Sequence, residues 1–78
     1  MKKKISLYIF SENTSDFNQR IVMIFNKINL EIKKNISFKK DDKVFCILEI
    51  ECVVENILKI IIRLFKIIGI NAIYYCKS

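Results

Sequence analysis

Three carboxylates, Glu49, Glu51 and Glu55, lie close together in this 78-residue chain and invite an acid–base reading. Such chemistry needs two groups of different proton affinity facing one reacting atom. Glu49 and Glu51 sit two apart in an alternating apolar segment, which places both on one solvated strand face. The chain has no histidine to act as base. Cys46, Cys52 and Cys76 form no C-x-x-C pair, so a zinc site lacks ligands, and free buried thiols of a reducing cytosol are expected. A single glycine excludes a glycine-rich phosphate loop. No catalytic residues and no metal site emerge.

The formal charge of +6 suggests an anionic partner, but its composition weakens that reading. Twelve of the fourteen cations are lysine, and isoleucine, lysine and asparagine together fill 36 positions. Codon bias toward AT-rich triplets produces such a pattern without a phosphate-binding face. Surfaces for nucleic acid favour arginine forks, and only Arg20 and Arg63 are present. Lys2, Lys3 and Lys4 form one cluster, and Lys39-Lys40-Asp41-Asp42-Lys43 reads as a solvated hairpin turn. The apolar stretch Ile5 to Phe10 is six residues, short of the ~7–15 of a signal peptide. No uncharged apolar run approaches the ~18 residues of a membrane span. A single cytoplasmic domain over residues 1–78, with neither nucleic acid nor membrane as partner, is expected.

The elements follow from apolar spacing. Lys4 to Phe10 alternates as a strand, with Ile5, Leu7 and Ile9 on one face. Ser11 to Ser15 is a run of turn formers in which Thr14 or Ser15 can cap a helix. Phe17, Ile21, Ile24, Phe25 and Ile28 mark one helical stripe, and Asn29 is a plausible terminator. Leu30, Ile32, Ile36 and Phe38 read as one face of a second strand. Val44, Cys46, Leu48 and Ile50 form one face of a third. A second helix carries the stripe Val54, Ile57, Leu58, Ile61, Leu64, Phe65 and Ile68, with Gly69 as its C′ residue. Ile70 to Cys76 closes the chain as a fourth strand.

The order is βαββαβ, an α+β, ferredoxin-like arrangement. Right-handed crossovers put both helices on one face of a four-stranded antiparallel sheet. Ile60, Ile62 and Ile67 fall off the main stripe of the second helix. Tyr8, Phe10, Phe45 and Ile47 fall on the sheet face away from the helices. A chain this short buries only about 60% of its unfolded surface. These surplus apolar residues therefore point to a subunit interface.

The first strand-to-helix turn is the remaining candidate site, because a helix N-terminus offers unpaired N–H groups and a positive dipole end. Its residues, Phe10-Ser11-Glu12-Asn13-Thr14-Ser15-Asp16-Phe17-Asn18-Gln19-Arg20-Ile21, resemble without a gap those of one family. That family is the small regulatory subunit of acetolactate synthase (acetohydroxyacid synthase), which is built on an ACT domain. Ile24-Phe25 is similar to the family's hydrophobic-Phe pair, and Leu64, Lys66, Ile67 and Ile68 to its Leu-x-Lys-Leu-Ile/Val run. Ala72 to Ser78 resembles the tail of the short, ACT-only form of isozyme II type.

The resemblance implies a ferredoxin-like ACT domain that does no catalysis itself. It also implies a homodimer through ACT domains, bound to the large catalytic subunit of branched-chain amino-acid biosynthesis. That large subunit would hold thiamine diphosphate, Mg²⁺ and FAD, and the small chain no cofactor. The family's effector positions fall on Asn13, Asp16, Phe17, Asn18, Glu31 and Ile32. Two of them depart from the family. Asp16 replaces a glycine, and Glu31-Ile32-Lys33-Lys34 stands where the family has Asn-Ile-Glu-Ser. Both place a carboxylate where an effector's own carboxylate would lie, so insensitivity to valine is expected. Asp16 then either substitutes for the ligand at the helix N-terminus or merely caps the helix. A free-standing amino-acid sensor and a ferredoxin-like nucleic-acid module are the alternatives.

Overall fold

The chain folds into β1 (Lys2–Glu12), α1 (Phe17–Lys27), β2 (Ile32–Lys40), β3 (Lys43–Val53), a 3₁₀ turn (Val54–Asn56), α2 (Ile57–Phe65) and β4 (Ile70–Lys77). This computed structural model describes residues 1–13 and 16–77, so the expected caps Thr14 and Ser15 lie outside the described residues. The four strands form one sheet in the order β2-β3-β1-β4, and all neighbours run antiparallel. This is the expected βαββαβ architecture.

Register explains the core. Ile5, Leu7 and Ile9 on β1 stand opposite Ile50, Leu48 and Cys46 on β3. All six are buried, together with Phe17, Ile21 and Phe25 of α1 and Ile57, Ile60 and Leu64 of α2. Each such side chain contributes about 1.5–3 kcal/mol by leaving water. Helix α1 ends as its sequence suggests. Asn29 takes φ 59°, while the N–H groups of Leu30 and Asn29 donate to the carbonyls of Phe25 (3.0 Å) and Asn26 (3.1 Å). That double closure is the Schellman motif. Asp41 supplies the other left-handed residue, φ 56°, in the two-residue turn between β2 and β3.

Three sequence expectations are corrected. Ile32 stands opposite buried Ile50, but Ile36 and Phe38 stand opposite Ile47 and Phe45 on the other face. A bulge between Ile32 and Lys34 inserts Lys33 as an extra residue, so the four apolar positions do not share a face. In α2 the buried positions are Ile57, Ile60 and Leu64, and Ile67 is buried just beyond it, whereas Leu58, Phe65 and Ile68 are exposed. The core side is therefore rotated from the expected stripe, and of the three residues placed off it only Ile62 is exposed. Gly69, φ 103°, lies in the turn before β4 rather than at C′, because the helix already ends at Phe65.

Away from the helices, Phe10, Phe38 and Phe45 form a ladder of stacked rings across three strands, with centroids 4.7 Å (Phe10–Phe45) and 6.1 Å (Phe38–Phe45) apart. Tyr74 meets Phe10 edge-on at 5.8 Å. The expected open apolar face is thus present.

Candidate functional site

The end of β1 is clamped from two sides. Ser11 is buried, and its hydroxyl lies within hydrogen-bond distance of the carbonyls of Glu12 (2.9 Å) and Gly69 (3.1 Å). The backbone N–H of Glu12 donates to Gly69 O at 2.9 Å, and that of Asn13 to Asp42 O at 2.8 Å. The Glu12 carboxylate accepts from Lys43 Nζ and from Asn71 Nδ2, the latter at 2.8 Å. The end of β1 is therefore fixed between the β2–β3 hairpin and the start of β4.

The bond from Lys43, and then that from Asn71, hold the Glu12 carboxyl below its ordinary pKa. A carboxylate with a depressed folded-state pKa stabilises the fold above the unfolded glutamate range and loses that effect as pH falls through the folded value. The Glu12→Gln variant is accordingly expected to unfold at lower urea than the parent at pH 7. The gap should narrow as acid protonates Glu12. A gap that stays constant from pH 7 to pH 3 would show that the clamp does not depend on the charge.

Helix α1 begins just beyond the end of β1. Asp16 is its N-cap, with φ −114° and ψ 17°, but its side chain makes no capping hydrogen bond. Its carboxylate instead accepts from Arg20 Nε at 2.8 Å, an i,i+4 pair that keeps it ionised. Capping by the Asp16 side chain is thus corrected: the guanidinium one turn away competes successfully for the carboxylate. Phe17 is buried, and Asn18 is exposed with Oδ1 accepting from Asn35 Nδ2 at 3.0 Å. Asn35 Oδ1 in turn accepts from Cys46 Sγ at 3.5 Å. This amide bridge ties the first turn of α1 to β2.

Asn13, Asp16, Phe17 and Asn18 thus gather at one end of α1. Glu31 and Ile32 do not join them. They follow the other end of the helix, about 16 Å away at 1.5 Å rise per residue. Glu31 is exposed and pairs with Lys33 at 2.7 Å, while Ile32 is half-buried against the core. Arg20 was legible as a partner of Asp16 from its spacing of four. Asn35 carried no such signal, because its place depends on the Lys33 bulge.

Two of the thiols behave as the sequence suggests and one does not. Cys46 and Cys52 are buried, and burial pushes both thiols above their ordinary pKa. Cys76 is exposed, because it lies on an edge strand. No group of three metal-ligating side chains occurs among the described residues, and no described helix is long and apolar enough to cross a membrane. Between the helices runs a groove of about 200 Å³ that brings Arg20 and Lys27 of α1 beside Arg63 and Lys66.

No protein-family model matches the chain, and no curated protein does. Solved structures do. The crystal structure of the ACT domain from GTP pyrophosphokinase of Chlorobium tepidum superimposes with a TM-score of 0.85 at 17% identity, covering 97% of this chain and 100% of that one. The solution structure of the same domain gives 0.83 at 17% identity, over 99% and 89%. A homoserine dehydrogenase from Thiobacillus denitrificans gives 0.81 at 11% identity, over 99% of this chain and 17% of that one. The chain has the fold of an ACT domain.

Proposed function

We propose that this chain is a non-catalytic regulatory small subunit of acetolactate synthase, acting in branched-chain amino-acid biosynthesis and insensitive to valine. The observation that carries the reading is the ungapped, family-like run from Phe10 to Ile21, which departs from the family at Asp16 and spans the end of β1 and the start of α1 in an ACT fold. The catalytic subunit, with thiamine diphosphate, Mg²⁺ and FAD, performs the chemistry. The small chain acts by binding the active conformation of that subunit better than the inactive one, which shifts the population.

Insensitivity to valine follows from charge. The Asp16 carboxylate stays ionised beside Arg20 at the entrance to α1, and the carboxylate of an incoming amino acid would be repelled there. Glu31 and Ile32 lie a helix length away, so a single copy brings only four of the six effector positions to one end of α1. The test is acetolactate formation by the catalytic subunit with and without this chain, across a valine titration. Stimulation that ignores valine is expected. Stimulation that valine reverses would overturn the role given to Asp16, and absence of stimulation would overturn the subunit assignment.

One observation favours a second reading, a free-standing amino-acid sensor. The Asp16 side chain makes no capping hydrogen bond to α1, and a helix N-terminus suits a ligand carboxylate. Calorimetric titration of the isolated chain with the twenty amino acids distinguishes the two, since only the sensor releases heat without a protein partner.

A further inference from the structure

The positive charge of this chain is not spread evenly over its surface. Five cations, Arg20, Lys27, Lys59, Arg63 and Lys66, line two adjoining hollows between α1 and α2, of about 200 and 220 Å³, which share Arg63. Among the described residues no carboxylate lines either hollow. Both arginines of the chain are among the five. Only Arg20 has an ion-pair partner among the described residues, reaching Asp16 through Nε.

Helix dipoles account for part of this placement. Lys27 and Arg63 lie in the last turns of their helices, where a cation is favoured. Arg20 and Lys59 lie in the first turns, where it is not. Cations gathered around one groove repel each other, and its low-dielectric walls focus their field. An incoming anion relieves that repulsion. The floor of the groove is apolar. Ile60 and Ile67 belong to the core, Ile24 packs against it, and Met23 stands 57% exposed at the rim.

We propose that this groove docks an acidic, amphipathic helix of a partner protein. Such a helix lays its apolar stripe on Met23, Ile24, Ile60 and Ile67 and aims carboxylates from its flanks at the cations on either side. The planar fork of arginine suits a carboxylate particularly well. The floor selects this occupant over a nucleic acid, because a phosphate backbone answers the cations and leaves the apolar surface unused. Length also matches. The 11 residues of α1 span about 16 Å, which is about three turns of a helix laid alongside. The docking rests on the groove alone, and that the partner is the catalytic subunit rests on the proposed function.

The probe is a stapled helix of about three turns, with leucine at i, i+3 and i+7 and glutamate on both flanks, titrated against the full chain by fluorescence anisotropy. The parent is expected to bind it, and Arg63→Glu, Lys66→Glu to weaken binding at least tenfold. Lys39→Glu, Lys40→Glu makes the same change of net charge at the end of β2 and should stay within about twofold of the parent. All four positions are exposed, so far-ultraviolet circular dichroism should not change. A parent that does not bind the probe overturns the docking site. So does equal weakening by the two double variants, or equal binding of the same peptide with its leucines replaced by serine. Single-stranded oligouridylate that binds the parent more tightly than the probe, and is lost in Arg63→Glu, Lys66→Glu, would overturn the helix in favour of a nucleic acid. Acetolactate assays separate the partner from the groove. Stimulation that survives Arg63→Glu, Lys66→Glu overturns the catalytic subunit as the partner docked here. A parent that binds the probe and gives no stimulation overturns the proposed function alone.

Discussion

Phe25→Ala is expected to lower the thermal midpoint by more than about 12 °C, as 3–5 kcal/mol of core packing is lost at about 4 °C or more for each kcal/mol in a domain of this size. Phe25 is 1% exposed and sits in the cluster that joins α1 to the sheet. A domain of 78 residues has only about 4–12 kcal/mol to lose. At the lower end of that range the variant would be substantially unfolded at room temperature. Met23→Ala, two residues earlier in the same helix, is the control. Its side chain is 57% exposed, and its replacement should change stability by no more than about 0.5 kcal/mol. Thermal melts followed by circular dichroism separate the two, and equal shifts would show that α1 does not bury the face described.

Gly69→Val carries the next largest effect, a loss of about 1–3 kcal/mol, either as backbone strain or, where the strain relaxes, as loss of the hydrogen bonds that Gly69 O accepts. At φ 103° a Cβ meets the neighbouring backbone, and a β-branched side chain meets it most severely. If the backbone relaxes, the Gly69 carbonyl turns away from the Ser11 hydroxyl and the Glu12 N–H, which it now receives at 3.1 and 2.9 Å. Either response weakens the clamp on the end of β1. Asn29→Gly, at φ 59°, should by contrast leave stability nearly unchanged, since glycine enters that region freely. Urea midpoints of the two variants decide the matter, and a Gly69→Val protein as stable as the parent would contradict the geometry of this turn.

The strands that follow strict alternation were legible from the chain alone. β1 and β3 bury the faces that their spacing indicates, and α1 ends where Asn29 suggests. α2 misled because it is apolar nearly all round. Several stripes fit Ile57 to Ile68 equally well by spacing, and only the packing of Ile60, Leu64 and Ile67 against the sheet selects one. The candidate site was half legible. The spacing of Asp16 and Arg20 announces their ion pair, and the helical stripe announces the burial of Phe17. What spacing does not reveal is that a carboxylate with two possible partners prefers the guanidinium over the helix N-terminus. Nor does it reveal that Asn35 crosses to Asn18, which depends on which way β2 faces after its bulge.

That bulge also makes Lys33 a dispensable link. Pairs on both sides of it, Ile32 with Ile50 and Lys34 with Glu49, are successive rungs of an ordinary antiparallel ladder. Deleting a residue from a regularly paired stretch of strand slips everything beyond it onto the wrong face. Deleting Lys33 would leave every rung in place and cost only its exposed pair with Glu31. Shortening by one residue is therefore tolerated at this position in β2. A chain lacking it would show openly the alternation that the surplus lysine conceals, with Ile36 and Phe38 turned away from Ile32.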